Sequence, residues 1–403
     1  MLQPTDPKPN WSIPVLLVAC TWVSVLSTDL YAPSLPHLPE LLDTTEQAAK
    51  MTMSVNLAAF ALAQLVHGAL ADRFGRRALL VAGVGSFSVA SALCALAPSI
   101  EALILGRWVQ GLLSSVPSVV VLVVIHELYG RGQSVRILGF HGMAVGVAPV
   151  LGPLIGGYIF IHFGWRANFW LLALIAATTA ALVWRGVPET LRAPVPLDLR
   201  QTAKNYLAIL SLRKALAHLL PMSVVFGGLF AFITAGPFLL IDRHGVSTED
   251  YGLYFGIVIL AAIAGGVIVN RAGGRIDTEK LEAAGFASAV CGVAIVAAAL
   301  VLDMETAATI TAGMTVFGLG VGLINASGPI LLLDSVGDLP RSAASAIVGS
   351  AALVAASGAS FLVSTMHHQT AWPMVNVMIG LIVLGCVGFV IRRRREPTLR
   401  PSP

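Results

Sequence analysis

The sequence predicts an all-α membrane protein, with twelve transmembrane helices in two six-helix bundles. Three observations carry this expectation. Of 403 residues, 56% are hydrophobic and only 11% charged, against about 25% charged in a soluble domain. Twelve apolar runs approach or exceed the roughly 20 residues that span a bilayer. A single long polar connector separates them into two sets of six, the layout of a duplicated membrane fold.

The runs fall at about 12–36, 49–70, 78–98, 102–125, 136–160, 167–185, 216–241, 251–271, 281–302, 307–333, 342–366 and 372–391. Short turns with Gly, Pro or charge separate them, such as Ala97-Pro98-Ser99 and Asp303-Met304-Glu305. The connector covers 186–215, which sets expected units of 1–185 and 216–403. The first run is too long for the apolar region of a cleavable signal peptide. Cys20, Cys94, Cys291 and Cys386 all sit inside apolar runs and read as small hydrophobes. The net charge of +4 is spread over short loops, so no nucleic-acid partner is implied.

Basic residues set the expected orientation. With the N-terminus inside, the inner loops hold Arg73, Arg76, Arg77, Arg131, Arg136, the connector, Arg271, Arg275, Lys280, Arg341 and the tail Arg392 to Arg395. The outer loops hold Lys50, Arg166 and Arg243 among many acids. Both termini are therefore expected in the cytoplasm.

The first run carries one charge, Asp29. A carboxylate inside a membrane costs about 2.5–3.5 kcal/mol on insertion scales, so it needs a partner, a water-filled cavity or a proton. Asp29 is expected to take up and release a proton. Arg107 is the one basic residue well inside a span. It lies five residues after Ala102, and Asp29 lies seven before Pro36. At ~1.5 Å per residue both are roughly 8–10 Å below the outer surface, which makes them candidates for coupling. Trp22, Leu26 and Asp29 recur at helical spacing on one face. With Asn56, Gln64, Gln110, Ser114, Ser118, Phe230 and Asn325 they are expected to face a cavity. Further aromatic lining is expected from Phe60, Phe226, Phe232, Phe238 and Phe317. His67, His126 and His141 are expected at the inner interface. No nucleotide-binding loop occurs, so the energy source is expected to be an ion gradient, and no cofactor or metal is expected.

The stretch Gly68-Ala-Leu-Ala-Asp72-Arg73-Phe-Gly75-Arg76-Arg77 resembles the cytoplasmic signature of the major facilitator superfamily at every position. The resemblance implies a gate in which Asp72 faces the start of helix 11 near Ser342, and Arg76 bridges to Glu127. Arg107-Trp-Val-Gln110-Gly111 is similar to a second pattern of that family. Gly152-Pro153-Leu154-Ile155-Gly156-Gly157, preceded by Ala148-Pro149, resembles the signature of its proton-coupled exporters. Asp29-Leu30-Tyr31-Ala32-Pro33-Ser34-Leu35-Pro36 resembles the first-helix ending of the Bcr/CflA drug exporters. Thr21 stands where better-known multidrug relatives carry a second acid, which favours neutral, zwitterionic or singly charged substrates. The resemblance implies a non-enzymatic, monomeric, proton-coupled antiporter of small amphipathic drugs in a bacterial inner membrane. Export of one metabolite, or uniport or import, stays open at this stage.

Overall fold

The computed structural model describes residues 11–129, 131–191, 193, 198–272, 275–337, 339–366 and 370–393. The side chains of 131, 132, 135, 199, 341, 342, 392 and 393 lie outside that description. Arg192, Arg394 and Arg395, and the side chains of Arg131, Arg341, Ser342, Arg392 and Arg393, therefore carry no structural statement.

Twelve described helices are long and apolar enough to cross a membrane. They are α1 Ser12–Leu41, α2 Glu46–Phe74, α3 Arg76–Ala95, α4 Ile100–Leu128, α5 Arg136–Phe163 and α6 Trp165–Gly186. The second set is α7 Arg213–Arg243, α8 Tyr251–Ala272, α9 Thr278–Val301, α10 Ala307–Ser335, α11 Ala343–Thr365 and α12 Trp372–Ile391. We call the end of the bundle that carries the connector the linker end, and the opposite end the distal end.

Several helices outrun their apolar stretches because polar residues start and finish them. Ser99 caps α4, its hydroxyl accepting from the Ala102 amide, and Thr45 does the same for α2 through Ala48. Thr306 and Thr309 cap α10 reciprocally. The connector contains a helix, Leu199–Ser211, capped by Asp198. Its 13 residues mix apolar and polar side chains and are too short to span a bilayer, so they give no spanning signal in the sequence.

The α-helical part of α1 ends at Asp29. A 3-10 turn, Ala32–His37, and a short α-turn, Leu38–Leu41, complete the span. Pro33 and Pro36 have no N–H to offer the Asp29 and Ala32 carbonyls, so the α ladder cannot continue there.

Close approach between helices is set by small residues, as is usual in membranes. A Cβ on Gly111 of α4 would lie 2.2 Å from the Asn56 carbonyl of α2. A Cβ on Gly322 of α10 would lie 1.8 Å from the Ala262 carbonyl of α8. The same crossing thus appears once in each half. Between the halves, α2 packs on α11, where Ser357 donates to the Ser54 carbonyl at 3.0 Å. On the other side α5 packs on α8, with Leu154 against Gly252 and Val150 against Gly256.

Candidate functional site

Asp29 is buried, only 5% exposed, at the break in α1. No hydrogen bond or ion pair reaches its carboxyl among the described residues. It packs on α5, where a Cβ on Gly152 would come within 2.7 Å of the Asp29 Cβ. One turn on, a Cβ on Gly156 would lie 1.9 Å from the Leu30 carbonyl. A Cβ on Gly157 would lie 2.5 Å from the Thr248 carbonyl in the loop before α8. Any side chain at these three positions would push α5 away from backbone or rigid neighbours. Gly139 and Gly142, nearer the linker end of the same helix, have nothing within 4 Å of the equivalent point. The small face of α5 is therefore filled at the distal end and open at the linker end. Pro149 and Pro153 lie within this helix.

Trp22, Leu26 and Asp29 do share a face, and that face lies on α5. The Trp22 indole donates to the Ala144 carbonyl at 2.8 Å, and Leu26 touches the Gly152 site. His141 is not interfacial. It is 9% exposed and bonds Thr21 at 2.9 Å, between α1 and α5.

Arg107 is fully buried but forms no ion pair with Asp29. Its Nη1 donates to the Ser27 carbonyl at 2.8 Å and to Gln110 Oε1 at 2.5 Å. The guanidinium also lies over the Tyr31 ring at 5.3 Å. It reaches the backbone two residues before Asp29, so the two groups lie at similar depth. The side chain nevertheless turns into the N-terminal half, where carbonyl dipoles and aromatic faces can hold a cation without an acid.

Asn56, Gln110 and Ser114 belong to this interior network. Asn56 donates to the Arg107 carbonyl at 2.9 Å, Gln110 to Ser91 at 2.8 Å, and Ser114 to the Gln110 carbonyl at 2.8 Å. Asn56 and Gln110 spend donors on neighbouring helices, and Ser114 bonds back to its own helix, rather than on a cavity. Asn325 is exposed on α10. Phe60, Phe226 and Phe230 are half-buried around a small apolar cluster of Leu57, Ala61, Leu353 and Ala356, which joins the two halves. Phe232 and Phe317 are instead buried within the C-terminal half, and Phe238 lies beneath Lys50.

A cavity of about 770 Å³ opens at the linker end. Gln64, Gly68 and Asp72 of α2 and Ser118, His126 and Glu127 of α4 form one wall. Leu333 of α10 with Ala343 and Ala346 of α11 form the other. Thr202, Asn205 and Tyr206 of the connector helix close its side, and Tyr206 donates to the Leu65 carbonyl at 3.1 Å.

The motif between α2 and α3 sits beside this mouth. Gly75 has φ +98°, a conformation that glycine alone adopts freely. The Arg76 guanidinium, 7% exposed, lies 2.8 Å from Asp72 and 3.1 Å from Glu127. Arg77 donates to the Trp184 carbonyl, and Arg73 is exposed. Asp72 is half exposed and pairs with Arg76; Pro340 and Ala343, at the start of α11, line the facing wall.

Glu189, just after α6, is the residue that sequence reasoning missed. Its carboxylate accepts from the Arg76 amide at 2.9 Å and the Arg77 amide at 3.2 Å, capping α3. The signal was available, because Gly75 has no side chain with which to cap the helix that follows. Partial burial raises the Glu189 pKa, but backbone N–H groups from Leu191, Arg76, Thr190 and Ala78 outweigh it and hold the carboxyl below the usual glutamate value.

Residues 17–361 match the model of the Major Facilitator Superfamily. The chain is 26% identical to a bicyclomycin resistance protein homolog of Haemophilus influenzae, over 91% of this chain and 92% of that one. It is 27% identical to a multidrug transporter, MdfA, of Yersinia pestis, over 95% and 94%. Among solved structures, a bacterial homolog of the human lysosomal transporter Spinster superposes with a TM-score of 0.73 at 14% identity, covering 98% of this chain and 100% of that one, a likeness of fold alone. With twelve spans in two six-helix halves and a family match over most of its length, the chain belongs to the Major Facilitator Superfamily and is a membrane transporter, not an enzyme.

Proposed function

We propose that this transporter exports small amphipathic molecules, antibiotics among them, in exchange for protons, by alternating access. The observation that carries the reading is Asp29: a buried carboxyl without a partner among the described residues, at the break in α1, packed on Gly152 of α5, the helix that also meets α8. A bare carboxylate is costly in such a place, whereas the neutral acid is tolerated. Opening the distal end would admit water and let the group ionise.

The linker-end cavity is of a size that holds drug-like ligands. Half-buried Phe60, Phe226 and Phe230 offer an apolar surface further in, where burial binds with little selectivity. Gln64 lines the cavity, and Asn325 is the exposed amide of α10. Basic residues gather at the linker end, which supports placing that end and both termini in the cytoplasm of a bacterial inner membrane. Substrate would enter there; a proton taken up from the other side by Asp29 would return the protein to its distal-closed form. The moving bodies are the segments before and after connector 186–215, acting as a monomer, with Arg107 holding the α1 break through Ser27 as part of the proton-coupling unit.

Asp29→Asn should retain binding of an antibiotic such as chloramphenicol but abolish its proton-driven export from vesicles. Full export by that variant, with proton counterflow intact, would overturn the reading.

A further inference from the structure

Residues 199–216 hold four basic side chains, Arg200, Lys204, Arg213 and Lys214, and no acid. All four are exposed, and none joins an ion pair among the described residues. Asp198, at the head of the connector helix, spends its carboxylate on the Gln201 amide at 2.8 Å. Arg200 and Lys204 share the outer face of that helix with Leu207 and Leu210, three or four residues apart along it. Leu207 is 65% exposed and Leu210 40%. The opposite face is turned to protein: Thr202, Asn205 and Tyr206 line the cavity, and Ile209 is buried.

The helix also stands at the level of a bilayer boundary. Tyr206 donates to the Leu65 carbonyl of α2, five residues inside the linker-end limit of that span's apolar run. At ~1.5 Å per residue this is about 8 Å in, so the helix lies where headgroups meet hydrocarbon. It packs on α11 as well, and so crosses from one half to the other on the α2–α11 side of the cavity.

We propose that the outer face of the connector helix binds anionic phospholipid headgroups of the linker-end leaflet, and that this binding holds the helix across the lateral opening of the cavity. Arg200 and Lys204 meet the headgroup phosphates, while Leu207 and Leu210 enter the acyl boundary. Arg213 and Lys214, at the start of α7, extend the basic strip. A helix of this length covers about 20 Å, too far for its basic residues and those beyond it to close on one free anion. A charged surface satisfies them together, and each basic residue adds to the attraction. Lipid binding here is independent of what the transporter carries.

The test uses full-length protein in nanodiscs of phosphatidylcholine, with or without phosphatidylglycerol, and reads amide exchange over residues 200–211. Phosphatidylglycerol should slow that exchange roughly tenfold, as two or more basic residues near an anionic surface predict. Arg200→Gln combined with Lys204→Gln should remove most of the slowing, and Leu207→Gln should reduce protection in both lipids. Arg185→Gln, at an exposed position of α6 off this helix, should leave the slowing intact. Equal exchange in the two lipids, or slowing that survives the double variant, would overturn the proposal. So would equal slowing by inorganic phosphate added to phosphatidylcholine discs, which would mark a free-anion site. An equal loss in Arg185→Gln would overturn it too, by showing a general effect of surface charge.

Discussion

The two ends of the molecule are built by different means. At the distal end, helix backbones touch through glycine: α5 meets α1 at Gly156 and the loop before α8 at Gly157. Lys50 adds a cation over the Phe238 ring at 3.9 Å, linking α2 to α7, and His37 bonds Thr248 at 3.2 Å. At the linker end the halves stand apart around a cavity, and the strong contacts lie within the N-terminal half: Arg76 with Asp72 and Glu127, and Glu189 under α3. One end is closed by shape. The other is braced by charge and left open between halves. In the proposed alternating cycle the two conditions exchange, which requires that neither closure be too strong and that the two packings lie within a few kcal/mol of one another.

The sharpest way to break this contrast is Gly156→Ala. Its methyl would meet the Leu30 carbonyl, which cannot move without shifting α1, so overpacking of about 1–3 kcal/mol or more is expected. Thermal stability should fall and antibiotic export should drop at least tenfold. Gly142→Ala, on the open part of the same face, should leave stability unchanged. Equal losses in both variants would show that the filled and open stretches of α5 do not differ.

Next in size is Arg76→Ala. It leaves two acids facing each other at the cavity mouth, at a cost of about 1–3 kcal/mol for the lost charge-assisted bonds. The loss should appear as a lower unfolding temperature.

Glu189→Ala should cost about 1 kcal/mol through the uncapped start of α3. The same contact gives a pH signature. Because the Glu189 carboxyl sits below its usual value when folded, its stabilisation is complete above the ordinary glutamate range and is lost as pH falls through the depressed value. Amide exchange at Arg76 and Arg77 should accelerate there, and Glu189→Gln should remove that acid dependence.

The smallest effect is expected for Lys50→Met, which keeps the side-chain length and loses the cation over Phe238. About 0.5–1 kcal/mol should be lost from the distal closure, read as a modest rise in distal opening with no change at the linker end.

The site was only partly legible in the sequence. Asp29 and Arg107 stood out because charge is rare in apolar runs, and Arg76 and Glu127 through the resemblance to the family's cytoplasmic signature. The partners of Arg107 did not stand out. A carbonyl at Ser27 and the Tyr31 ring leave no sequence mark, so coupling to Asp29 was the natural expectation. Asn56, Gln110 and Ser114 were legible as polar residues inside spans, but the neighbours that satisfy Asn56 and Gln110 depend on helix rotation.

The sequence by itself determined the membrane class and the number of spans, and it holds the residues that break α1 and let α5 approach its neighbours. These follow from residue chemistry acting locally: apolar length, missing proline N–H groups, and glycines too small to separate helices. Only the tertiary structure decided which polar atoms are spent on neighbouring helices, that Glu189 caps α3, and that the distal end is closed while the linker end is open. Those depend on the rotation and tilt of helices distant in the chain, and helical periodicity fixes a face without fixing what comes to lie against it.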